Sequence, residues 1–179
     1  MKNNDIISDV LEQSPNRRSL LKKIGIASAA AGAVFATGGN KLMADPSSPT
    51  VVDVLQFALN LEYLEAEFYT VATMGKTIDE VGIGISGSGG TGPTYGGNQV
   101  NFANNSVYTG TIANQIGNDE RNHVTLLRTA LSNAGVEPIA KPEINLGALG
   151  IGFANEAQFL TLARVFEDIG VSAYGGAAQ

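Results

Sequence analysis

Apolar residues recur at helical spacing in three stretches of the chain, and nowhere do they alternate convincingly at period two. In the first stretch Val51, Val54, Leu55, Ala58 and Leu61 mark one face of a helix that runs from about Thr50 to Met74, where Gly75 stops the pattern. The second extends from about Val107 to Ala134, carried by Ile112, Ile116, Val124, Leu127 and Leu131 and terminated by Gly135. The third opens at Asn155, whose side chain can cap the helix while Gln158 reaches back to it in a capping box. Phe159, Leu160, Ala163 and Phe166 continue it to about Tyr174. The pattern predicts an all-α fold.

The connections differ in character. Gly75 to Ser106 is rich in Gly, Ser and Thr and contains Gly-Ser-Gly-Gly-Thr-Gly at 87–92. So many glycines can mark a phosphate cradle, but no strand precedes them and no Gly-Lys-Ser/Thr accompanies them, so the expectation is a flexible surface loop. Gly135 to Ala154 contains Pro138 and Pro142 and is long enough to cross the length of a bundle.

A chain of 179 residues, 44% of them hydrophobic, suits one domain with one core. Its charge is unevenly placed: residues 1–44 hold six of the eleven Lys and Arg, while residues 45–179 hold five basic and fourteen acidic side chains, a net charge of −9. That acidic body repels phosphate backbones, which argues against a nucleic-acid partner and for small cations. The absence of Cys excludes disulfides, thiolate nucleophiles, zinc fingers and iron–sulfur clusters. At the N-terminus, Asn16-Arg17-Arg18-Ser19-Leu20-Leu21-Lys22 resembles a twin-arginine export signal and precedes the uncharged Ala/Gly-rich stretch 24–40. Leu42-Met43-Ala44 reads as a cleavage site, giving a signal peptide at 1–44, a linker at 45–49 and a mature domain at 50–179. A retained anchor is the alternative, for which this stretch is short and weakly apolar. The expectation is a periplasmic or extracellular protein that meets the membrane only in transit.

Candidate chemistry lies on the helices. Glu62 falls four residues after Ala58 and seven before Tyr69, on the face begun by Val51 and Leu55. Ile116, Glu120, His123 and Leu127 place a carboxylate and the chain's single histidine on one stripe, and Ala163, Glu167, Gly170 and Tyr174 repeat the arrangement. An interior carboxylate costs on the order of several kcal/mol unless it is paired or bound to metal. Three helices with one inward Glu each are most economically explained by a shared cation, and mixed oxygen and nitrogen donors suit iron or manganese. Taken singly, Glu120 with His123 also reads as a surface pair, and Glu62 as a solvated helix residue. Glu65 is a candidate supporting or substitute ligand; Glu65 and Glu67 are not expected both to face inward, and Glu67 is expected in solvent. Tyr69 and Tyr174 read as core aromatics whose hydroxyls hydrogen-bond carboxylates. Glu-x6-Tyr in two helices suggests two related half-bundles.

Taken in order, these motifs resemble the ferritin-like di-metal bundles, in which two helices give one Glu each and two give Glu-x-x-His. Glu62 and Glu167 resemble the single glutamates and Glu120-Arg121-Asn122-His123 the first Glu-x-x-His. Leu61-Glu62-Tyr63-Leu64-Glu65-Ala66-Glu67-Phe68-Tyr69 is similar to exported ferritin-like proteins related to plant desiccation-related proteins. The resemblance covers about residues 50–179. It implies a di-iron or di-manganese carboxylate site that oxidises ferrous iron or reduces oxygen or peroxide; the alternative is a non-catalytic stress-protective or structural bundle. Three of the four core helices are recognisable. A second Glu-x-x-His has no counterpart before Gln179, so four ligands stand where six are expected: either this is a shortened version of a longer protein, or a partner chain such as a second copy in a homo-oligomer supplies the rest, or the domain has lost the chemistry.

Overall fold

The computed structural model describes residues 50–102 and 107–177, without the side chains of 107–109 and 174–177. The export signal, the linker and the Tyr174 side chain lie outside the described residues. Three long helices dominate: α1 (Val51–Met74), α2 (Val107–Asn133) and α3 (Glu156–Ala177). The starts of α1 and α3 are set by polar caps. Thr50 accepts from the Asp53 backbone while Asp53 bonds back to the Thr50 N–H, a closed capping box. At α3 the Gln158 N–H donates to Asn155 Oδ1 at 3.0 Å, but the Gln158 side chain accepts from the Gly152 N–H at 3.2 Å. The cap expected there is present, and its return bond is spent on the preceding loop. Among the described residues no helix is long and apolar enough to cross a membrane.

α1 is the central element. It packs along α2, and its Phe68 holds the aromatic core together, stacked on Phe159 of α3 at 5.2 Å and edge-on to Phe153, Phe166 and Tyr69. Leu59 and Tyr63 of α1, Val124 and Leu131 of α2 and Leu162 of α3 extend this core. Every residue from Glu62 to Ala72 is buried except Leu64, which is partly so. One helix face cannot account for that.

The remaining cover comes from the two connections, which form a layer of their own. β1 (Thr94–Tyr95) pairs in parallel with β2 (Ile144–Asn145), and Ser88 bridges Ile139. Ile78 and Val100 enter the core, and the Val100 N–H donates to the Ala72 carbonyl at 2.8 Å. Over the described residues 75–102 the expectation of a flexible surface loop is corrected in part: the segment lies largely at the surface, but it pairs with the second connection and sends Ile78 and Val100 into the core. The glycines serve close approach: a Cβ at Gly87 would overlap the Pro138 carbonyl, and one at Gly92 the Glu143 amide, so the two connections could not lie against each other with larger residues there.

The same layer overturns the placement of Glu67 in solvent. Glu67 is fully buried, with Thr94 Oγ1 donating to its Oε1 at 2.8 Å, the Ile78 N–H donating to Oε2 at 3.2 Å, and Lys141 Nζ at 3.4 Å. Lys141 is buried too, and donates to the Gly92 carbonyl and to Thr94 Oγ1, both at 2.8 Å. Burial raises the Glu67 pKa, and Thr94 and Lys141 oppose that rise. Glu65 and Glu67 both face inward because α1 is covered on opposite sides, by the helices and by the connections.

Candidate metal centre

α1 and α2 bring three of the expected donors together. Glu62 and Glu120 are buried, 4% and 7% exposed, because they sit on the facing stripes of the two packed helices. His123, one turn beyond Glu120, directs Nδ1 to Glu62 Oε2 at 3.2 Å and to Glu120 Oε2 at 3.1 Å. One donor atom from each of Glu62, Glu120 and His123 lies within 4.8 Å of the others. The imidazole itself is half-exposed, so the stripe shared by Glu120 and His123 runs from the interior to the surface.

The electrostatics are those of crowded carboxylates. Burial, then the neighbouring Glu62 carboxylate, pushes the Glu120 pKa up to about 8, against the pull of His123. Burial works against the His123 cation, but the charges of Glu62 and Glu120 outweigh it and raise the imidazole pKa. Arg121 brings no relief, since its Nη1 donates to Thr70 Oγ1 at 2.9 Å.

Glu167 is placed differently. It is exposed on α3 and reaches the centre through Tyr69, whose buried hydroxyl donates to Glu167 Oε1 at 2.8 Å. Burial, with the Glu167 bond next, holds the Tyr69 pKa well above its ordinary value. Glu65, 7% exposed, lies close enough to Glu62, Glu120 and Glu167 to sense all three charges. Its position could have been read from Gly170, the small residue of α3 that leaves room for it. Two carboxylates and an imidazole with donor atoms this close are a set that fits a divalent first-row metal.

Residues 50–179 match the ferritin-like domain family. The desiccation-related protein PCC13-62 of Craterostigma plantagineum is 30% identical over 143 residues, which are 70% of this chain and 42% of that protein. The chain thus spans less than half the length of this relative. No solved structure matches it at a significant level.

Proposed function

The chain belongs to the ferritin-like domain family, and on that premise we propose that its helical domain binds iron or manganese through Glu62, Glu120 and His123, with Glu167 as a further ligand. The observation that carries this reading is the convergence of those two buried carboxylates with the imidazole. Bound iron or manganese would supply one-electron or two-electron chemistry, so oxidation of ferrous iron or reduction of oxygen or peroxide is the activity proposed. Glu62 and Glu120 would neutralise the cation, and His123 would add a nitrogen donor from the open side of the site. Tyr69 orients Glu167. The name of the plant relative supports a second reading, a stress-protective bundle without catalysis.

Anaerobic titration with Fe2+ or Mn2+, followed by calorimetry, tests the metal reading. Because burial and Glu62 push the Glu120 carboxyl up to about 8, and Glu62 and Glu120 raise the His123 imidazole against the effect of burial, a cation bound by these two groups must displace their protons. Apparent affinity is expected to rise by about tenfold per pH unit for each proton displaced between pH 6 and 8, and to level off above the higher of these pKa values. Failure to bind either ion would sink the metal reading and leave the protective one.

The proposal includes twin-arginine export to the periplasm or beyond, motivated by Arg17 and Arg18 ahead of the weakly apolar stretch. Exchange of both for Lys is expected to retain the precursor inside the cell. Undiminished export of that variant would exclude the route.

A further inference from the structure

The contacts that tie α3 to α1 fall in the second half of α1: Glu65 beside Gly170, Phe68 on Phe159 and Phe166, and Tyr69 bonded to Glu167. The first half of α1 carries apolar side chains into solvent. Val51 is 76% exposed and Phe57 51%, and Val54 and Leu61 are half-buried. Val54, Leu61 and Glu65, at spacings of seven and four, follow one side of the helix, so this flank runs up to the carboxylates. Alongside, Leu126 of α2 is 66% exposed, three residues after the half-exposed His123. An apolar surface of this kind, ending at a cluster of acidic groups, fits an occupant that is uncharged along its length and basic at one end.

The stretch that leads into α1 has that character. Residues 24–40, outside the described residues, carry no charge and are mostly Ala and Gly, and Arg17, Arg18, Lys22 and Lys23 precede them. As a helix this stretch is about 26 Å long, and α1 rises about 21 Å from Val51 to Glu65. The link at 41–49 reaches at most about 30 Å and contains Pro46 and Pro49, enough to reverse direction. Folded back from Thr50, the stretch therefore sets Lys22 and Lys23 level with Glu65. Charge selects this occupant over a second copy. Residues 1–44 hold six basic and three acidic side chains, whereas two copies of the domain would set −9 against −9. The tether adds a high effective concentration.

We propose that in the uncleaved chain residues 24–40 lie along the open flank of α1 and bring Lys22 and Lys23 to Glu65 and Glu167 at the mouth of the metal centre. A divalent ion and the two lysines then compete for the same acidic wall. Removal of residues 1–44 at export leaves the centre open. The inference rests on the metal-binding and export readings above and adds a switch that couples them.

Because the chain has no Cys, Ala31→Cys with Asn133→Cys places two fluorescent labels on the full chain, one on the segment and one at the end of α2. Energy transfer between them is expected to be high in the metal-free chain and to fall when Mn2+ saturates it. It is expected to fall likewise in Lys22→Gln/Lys23→Gln, whose substitutions lie outside the helical domain. In the unlabelled chain that double exchange is expected to raise Mn2+ affinity by about tenfold, the factor for a segment docked nine-tenths of the time. Transfer in the metal-free chain no higher than in urea would overturn the inference, and so would equal Mn2+ affinities in the two chains. Mn2+ uptake in either case would leave the metal reading standing. Uptake by neither chain would sink both.

Discussion

Exchange of Lys141 for Met is expected to lower the stability of the fold by about 3–5 kcal/mol. Lys141 is buried with its ammonium 3.4 Å from Glu67 and bonded to Gly92 and Thr94, so it is both the counter-charge of a buried acid and a tie between the two connections. Removing one member of a buried pair leaves the other uncompensated, which costs more than the pair contributes. Urea unfolding gives the size of the effect, and its pH dependence gives the cause. The folded-state pKa of Glu67 is already raised by burial, and loss of Lys141 raises it further. A raised folded-state pKa gives stability that is fully present below the unfolded value of 4.5 and is lost as pH rises through the folded value. The deficit of Lys141→Met is therefore expected to be small in acid and to grow toward neutral pH. Glu67→Gln added to Lys141→Met is expected to recover part of it. A Lys141→Met protein with the wild-type unfolding midpoint at pH 7 would show that the pair is not what holds the connections to α1.

Glu120→Ala is expected to act in opposite directions on the metal-bound and metal-free protein. With one of the two buried carboxylates gone, metal affinity is expected to fall by more than the roughly 10–100-fold lost with a residue that merely orients a ligand. The metal-free fold is expected to gain in thermal stability relative to wild type, because a carboxyl whose pKa is pushed up to about 8 is held there by burial and by Glu62 at the expense of the folded state. The difference between the two thermal midpoints, with and without Mn2+, is the quantity to measure. Unchanged affinity in Glu120→Ala would place the centre elsewhere. Glu67 behaves otherwise, since its neighbours are a lysine, a hydroxyl and a backbone N–H.

The contrast between these two carboxylates also marks how far the sequence could be read. Local periodicity and the glycine stops gave the three helices, because helix propensity and amphipathic phase are properties of neighbouring residues. The facing of Glu62 and Glu120 was legible for the same reason. Glu67 was not, since its burial depends on Thr94 and Lys141, which are distant in the chain and lie in segments without periodicity. The glycine-rich connection misled in a related way: composition reports freedom of the backbone, but Gly87 and Gly92 use small size, which becomes visible only when Pro138 and Glu143 are beside them. The half-exposed ring of His123 and the exposed position of Glu167 were hidden because both depend on how far the neighbouring helices reach across the site.

The cover on both sides of α1 has a consequence for ion capture. A helix gripped by an aromatic core on one side and by the Glu67–Lys141 pair on the other resists rotation about its axis. A turn of one residue would carry a carboxylate into the phenylalanines. The directions of Glu62 and Glu65 are thereby set in advance of any ligand, so the conformational entropy lost on binding at this wall of the site is small. The opposite wall, with His123 half in solvent and Glu167 tethered by one hydroxyl, has most of the ordering still to do. Preorganisation is thus lopsided: under the metal reading, the rigid wall would govern which ions fit and the loose wall how fast they enter and leave.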